Sequence, residues 1–233
     1  MINTPLQKIL FIDIETVGIE ANWSSFTQHH KELSLKFEGY MDWFKKRFPE
    51  CSDMRPAEMF TSKSALVPEF AKIVCVSVCF VTPDGETKVQ SFHNDDESKM
   101  LIEVRDLLNK VQKLDFQLCG HNLKNFDIPM MTKRMVIHGI LPPKIFPSYD
   151  TKPWDVKVID TKDIWQFGSF AALSSLELAC VSLGIDSSKN TGVSGDQVHN
   201  VYWNENGIDR IVSYCEEDVK VLIELIQKLK DLK

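Results

Sequence analysis

The stretch that most constrains this chain is Phe11-Ile12-Asp13-Ile14-Glu15-Thr16. It closes an apolar run that starts at Ile9, so it reads as a buried strand ending in two carboxylates. Side chains two apart on a strand project to the same side, which aims Asp13 and Glu15 at one point. Two carboxylates so placed repel each other unless something positive lies between them. The usual solution is a divalent cation held by oxygen ligands. Alone, an Asp-x-Glu pair is most often a solvated surface turn. Here it follows Leu10, Phe11 and Ile12, and two more acidic motifs lie downstream.

Composition narrows the class. At 233 residues the chain fits one domain, 1–233, with a large insertion at about 20–68. Its 43% hydrophobic content supports a sizeable core. No apolar run approaches ~20 residues, which excludes a membrane-spanning helix, and Met1-Ile2-Asn3-Thr4-Pro5 lacks the layout of a secretion signal. None of the six cysteines forms a Cys-x-x-Cys pair. They read as reduced core residues of a cytoplasmic protein. A net charge of −6 gives no sign of a strongly basic surface for gripping duplex DNA, and it suits a carboxylate metal site.

Along the chain, Lys8 to Ile14 predicts a central strand. From Glu20 to about Pro68 aromatics are spread among His, Lys and Glu, with Phe37, Tyr40, Met41 and Phe44 at helical spacing. This predicts a helical insertion whose apolar face packs on the main sheet, or whose aromatics wall a groove that stacks nucleobases. Lys72 to Val81 predicts a buried strand, Pro83-Asp84-Gly85-Glu86 a hairpin turn, and Thr87 to Phe92 the returning strand. Asp96 or Ser98 caps a helix through Val111. A short strand at Phe116 to Gly120 leads to a helix closed by Gly139. Leu141 to Pro153 is a loop, and Val156 to Ile159 a strand ending at Asp160. A helix from Leu173 closes at Gly184, a polar loop covers Lys189 to Gly195, and Val198 to Trp203 is a short helix. The longest helix runs from Ile208 to Leu229 with one apolar stripe.

Asp127 falls at a strand-to-helix junction, where the helix dipole favours an anion. Tyr214 and Asp218, four apart on the long helix, share a face at the edge of its stripe. Cys215 reads as a core residue, and Glu216 and Glu217 as a solvated charge run. Asp160 and Asp163 read as helix caps.

Taken in order, Phe11 to Thr16, Asn122 to Asp127 and Tyr214 to Asp218 resemble the three exonuclease motifs of the DEDD superfamily. The tyrosine four before the last aspartate is similar to the DEDDy branch; the histidine branch would place His where Ser213 stands. Ala65-Leu66-Val67-Pro68-Glu69-Phe70-Ala71-Lys72-Ile73-Val74 and Val193-Ser194-Gly195-Asp196-Gln197-Val198-His199 resemble stand-alone predicted exonucleases related to the proofreading domain of family B DNA polymerases. The resemblance implies an α/β, ribonuclease H-like fold with a five-stranded mixed sheet flanked by helices. No attached polymerase domain is expected.

It also implies a mechanism. Asp13, Glu15 and Asp218 would ligate two Mg²⁺ or Mn²⁺ ions ~3.5–4 Å apart, with Asp13 bridging them and Asp127 completing the site. Tyr214 would orient the attacking water rather than take its proton, since an unperturbed Tyr titrates near ~10. The expected reaction releases nucleoside 5′-monophosphates from 3′ ends of single-stranded DNA or RNA, with Thr16, Asn122 and Phe126 as contacts to nucleic acid. Two alternatives remain. One is a non-catalytic nucleic-acid-binding relative, whose mark would be a lost carboxylate. The other is a phosphodiesterase acting on small nucleotides, which a closed pocket built by the insertion would favour.

Overall fold

The first strand, β1 (Ile9–Gly18), is buried along nearly its whole length and has a neighbour on each side. In the computed structural model, which describes residues 2–169, 175–186 and 192–231, it pairs antiparallel with β2 (Ala71–Val81) and parallel with β4 (Gln117–Gly120). β3 (Thr87–Phe92) adds to β2 antiparallel, and β5 (Ile159–Asp160) to β4 parallel. The sheet is therefore mixed, five-stranded and ordered β3-β2-β1-β4-β5. A strand buried on both faces needs few polar side chains, which is why the carboxylates of β1 stand out.

Helices cover both faces. Leu10, Ile12 and Ile14 point into a core with α4 (Glu97–Lys113) and α5 (Asp127–Ile137). The odd-numbered residues face the other way. Ile9 and Phe11 meet Val219, Leu222 and Ile226 of α9 (Ile208–Asp231), while Val17 meets Ile211 and Cys215 of α9 and Val198 of α8 (Val198–Glu205). The β1–β2 register slips between Glu15 and Thr16, because Glu15 opposes Cys75 but Thr16 opposes Ile73. This bulge sends two successive residues, Val74 and Cys75, into the core on the α9 side.

Between β1 and β2 the chain forms α1 (Trp23–His29), α2 (Lys31–Arg47) and α3 (Pro56–Lys63), so the insertion is helical as expected. It does not lay an apolar face on the sheet. Phe26, Phe37, Phe44, Met59 and Phe60 form a core of their own that reaches the sheet region through Phe70 and Ile19. Its tightest ring contact is Phe26 on Phe60, with centroids 4.4 Å apart. The rings available for the predicted stacking wall are thereby narrowed. Phe26 and Phe44 are fully buried, and Trp23 packs on Phe26, Phe37 and Phe60. Tyr40 and Trp43 are the insertion's exposed large rings.

Other boundaries shift. The predicted strand Val156 to Ile159 pairs only at Ile159–Asp160. α6 (Thr161–Gln166) follows it, and α7 (Leu176–Ser182) starts after the predicted Leu173, which lies outside the described residues, as does part of the predicted polar loop. Among the described residues all six cysteines are buried free thiols, and no helix is long and apolar enough to cross a membrane.

Two buried polar clamps fix how the insertion leaves and re-enters the sheet. At the end of β1, the Gly18 N–H donates to His199 Nδ1 (3.1 Å) and the Gly18 carbonyl accepts from Trp203 Nε1 (3.1 Å). A Cβ at Gly18 would lie 2.5 Å from Ser64 Oγ, so only glycine fits there. His199 Nε2 lies 3.1 Å from the Ala21 carbonyl, and burial holds its pKa below the ordinary value. At the start of β2, Glu97 accepts from the Ile73 N–H (2.8 Å), from Arg134 and from His138. Arg134 Nη1 also donates to the Pro68 carbonyl (3.1 Å).

Burial alone would raise the Glu97 pKa, but the hydrogen bonds and charge of Arg134 outweigh it and hold Glu97 below its ordinary value. A depressed carboxylate stabilises the fold above its unfolded pKa, near 4.3, and that stabilisation is lost as pH falls through the folded value. Arg134→Leu leaves the buried carboxylate without its main partner, and should cost about 3–5 kcal/mol near neutral pH. Because the variant's Glu97 is then more easily protonated, the gap from wild type should narrow on acidification. Denaturant melts at pH 7 and pH 4.5 test this; a gap that stays constant with pH would refute the assignment.

Candidate active site

Asp13 and Glu15 occupy two of the odd positions of β1, on the face that α9 covers with its stripe. Where Ile9, Phe11 and Val17 meet apolar partners, these two meet Tyr214, Cys215 and Asp218. One donor atom from each of Asp13, Glu15 and Cys215 lies within 4.8 Å of the other two. The Cys215 thiol sits 3.4 Å from Asp13 Oδ2 and 3.5 Å from the Asp13 carbonyl. Tyr214, one turn before Asp218, is hydrogen-bonded to it. The strand period and the helix period thus converge as the spacing predicts.

Asp127 arrives from the other side. β4 ends at Gly120, where a Cβ would come within 2.9 Å of the Ile12 carbonyl, so glycine allows β4 to lie close against β1. The chain then turns through Asn122, which holds a left-handed backbone (φ 63°). Asp160 locks this turn: its buried carboxylate accepts from the amides of Asn122 (2.8 Å) and Lys124 (3.0 Å), and from that of Lys162 (3.0 Å) at the start of α6. The result is a buried Asp127 at the first position of α5, with its carboxylate held by its own amide and by that of Ile14.

Electrostatics tie the four acids together. Burial, then Asp218, Asp127 and Glu15, raise the Asp13 pKa well above the usual carboxylate range, with the Cys215 thiol offsetting part of the rise. Burial, then Asp218, Cys75 and Asp127, do the same to Glu15. Asp127 is pushed up to about 7 by burial, against the two amides that lower it and with Asp160 adding to the rise. Burial and the neighbouring carboxylates also raise Tyr214 far above its ordinary value, which keeps its hydroxyl protonated. Among the described residues, no lysine or arginine is paired with Asp13, Glu15 or Asp127. Asp13, Glu15 and Asp127, buried or half-buried and rich in oxygen donors, fit a hard divalent cation.

The three residues expected to contact nucleic acid have structural partners. Thr16 is buried, and its hydroxyl donates to the Ala65 carbonyl (2.9 Å). Asn122 Oδ1 accepts from Lys162 Nζ (3.1 Å). Phe126 precedes α5 and packs half-buried on the core beneath it. Glu216 is also more than a solvated charge, since its carboxylate accepts from the Ser91 hydroxyl (2.7 Å). Sequence reasoning missed the contact of Cys215 with Asp13 and the locking role of Asp160. No local signal marks either: the first joins segments 202 residues apart, and β4–β5 pairing alone brings Asp160 to the turn that carries Asp127.

Comparison with known proteins agrees with this architecture. No curated protein matches the sequence. The structure resembles a family B DNA polymerase from the hyperthermophilic archaeon Pyrobaculum calidifontis, with a TM-score of 0.61 and 15% identity. The alignment covers 97% of this chain and 25% of the polymerase, so the chain spans a quarter of that protein's length. The likeness is one of fold, and the mixed five-stranded sheet between helices is ribonuclease H-like. In sequence, residues 64–222 match a family described as predicted 3′–5′ exonucleases related to the exonuclease domain of PolB. That span holds Asp127, Tyr214 and Asp218, while Asp13 and Glu15 precede it. It covers more than half of the chain, and the protein belongs to this family of predicted 3′–5′ exonucleases.

Proposed function

We propose that residues 1–233 act as one domain, a metal-dependent 3′–5′ exonuclease that removes nucleoside 5′-monophosphates from single-stranded 3′ ends, DNA foremost. The observation that supports this reading is the gathering of Asp13, Glu15, Asp127 and Asp218 at one site where, beyond burial, Asp218, Asp127 and Glu15 raise the Asp13 pKa and Asp218 and Asp127 raise that of Glu15. Asp13, Glu15 and Asp218 would hold two divalent cations, Mg²⁺ or Mn²⁺, with Asp127 completing the set. When bound, such cations polarise a phosphodiester and lower the pKa of water.

The chain's own residues do the rest. Tyr214 keeps its proton, so its hydroxyl positions water by hydrogen bonding and does not act as the base. Asp218 fixes that hydroxyl. The bulge beside Glu15 and the turn locked by Asp160 hold the acids in place without side-chain rearrangement. All four carboxylates are present, against a non-catalytic relative. The insertion buries most of its aromatics in its own core, against a small-nucleotide phosphodiesterase whose pocket the insertion would wall.

Asp13→Ala should abolish turnover of a 3′-labelled oligonucleotide and weaken Mn²⁺ binding by calorimetry; near wild-type activity would overturn the site. Tyr214→Phe should slow cleavage roughly ten- to a thousandfold with Mn²⁺ and substrate binding little changed. An unchanged rate would make Tyr214 a packing residue. A net charge of −6 offers little for a duplex backbone. Single strands should therefore be cut faster than blunt duplex at equal end concentration, and the reverse order would sink the substrate assignment.

A further inference from the structure

The exposed side of α2 carries Lys36, Tyr40, Trp43 and Arg47, spaced by four, three and four residues, so they form one stripe. Acidic Glu38 and Asp42 point away from it. Tyr40 and Trp43 are each half exposed, which is unusual for large rings beside a core that buries five phenylalanines. Each ring stands edge-on to a buried phenyl: Tyr40 to Phe70 (6.1 Å, 73°) and Trp43 to Phe44 (5.2 Å, 71°). The core therefore holds both rings in place and leaves surface on each for another group.

Lys36, Tyr40 and Trp43 form one wall of a groove of about 460 Å³, and Leu66 to Phe70 and Lys133 form the other. Two links tie the groove's walls to the elements that carry the carboxylates. Leu66 follows Ala65, whose carbonyl accepts from Thr16, the neighbour of Glu15. Lys133 lies six residues after Asp127 on α5, about 9 Å along the helix axis. The acid in the groove, Glu69, is neutralised by Lys133 (3.1 Å), which leaves Lys36 as net positive charge. Rings with exposed surface interleaved with cations match the chemistry of separated bases on a phosphate backbone.

We propose that this groove binds the nucleotides upstream of the 3′ end, with Tyr40 and Trp43 stacking bases and Lys36 contacting phosphate. The inference rests on the exonuclease reading, which supplies the strand and its 3′ end. It gives the insertion a role in holding single strands that the metal site alone does not supply.

The test is fluorescence anisotropy of a labelled twelve-nucleotide single strand, made in the Asp13→Ala background so that nothing is cut. Tyr40→Ala and Trp43→Ala should each weaken binding by roughly five- to a hundredfold, whereas Tyr40→Phe and Trp43→Phe, which keep a ring, should restore most of it. Lys36→Gln should lower the slope of log affinity against log salt by about 0.7. Melting temperatures of the four ring variants check folding. Undiminished binding by a folded Tyr40→Ala/Trp43→Ala protein would overturn the groove and leave the exonuclease reading intact. Failure of that reading is separate: wild-type protein would bind the strand through this groove yet release no mononucleotide.

Discussion

The mutual repulsion of four carboxylates in a buried place is the constraint on which the rest of this structure depends. Acids with raised pKa values destabilise a fold when they are ionised without a counter-charge. Asp13 and Glu15 nonetheless sit on a β1 face that is apolar above and below them, and Asp218 sits on a helix stripe that is apolar along its length. A chain holds acids there only if the scaffold around them is firm enough to resist their moving apart.

That firmness has identifiable sources. β1 is paired with β2 through both carboxylate positions and with β4 just before them, at Ile9 to Phe11, which anchors the strand that carries them. Asp127 is carried by a turn whose amides are gathered by a single buried carboxylate, Asp160. Gly18 and Gly120 let neighbouring segments lie where any Cβ would force them apart. The Glu97–Arg134 pair joins α4 and α5 to Pro68 and Ile73, and so ties the helix bearing Asp127 to the strand beside Glu15. Such polar contacts, fully satisfied, specify one arrangement more strictly than apolar packing does.

The insertion follows a different logic. It interrupts the sheet's connectivity just after the strand that carries Asp13 and Glu15, yet it is built around its own aromatic core rather than on the sheet. Its contact with the site passes through backbone: Ala65 to Thr16, and Ile19 to Phe70, where the Ile19 amide donates to the Phe70 carbonyl (3.0 Å). An element joined in this way can vary its surface without disturbing the carboxylates, and a substrate-contacting stripe is placed well there.

The sequence by itself determined the parts that depend on local period. Alternation on β1 brought Asp13 and Glu15 to one face, the four-residue spacing on α9 brought Tyr214 and Asp218 to one side, and strand order matched the sheet, with shifts at element ends and the short α6 unpredicted. Tertiary structure decided what depends on contacts between distant segments. The period of α2 is the same whether Phe44 meets the sheet, a base or Phe37, and only the packed chain shows that it meets Phe37. The meeting of Cys215 with Asp13, 202 residues apart in sequence, could be read from neither period. Nor could Asp160, whose three accepted amides lie in two segments that only the β4–β5 pairing brings together. Local sequence fixes which way a side chain points; what it points at is set by the balance of burial and pairing over the whole chain.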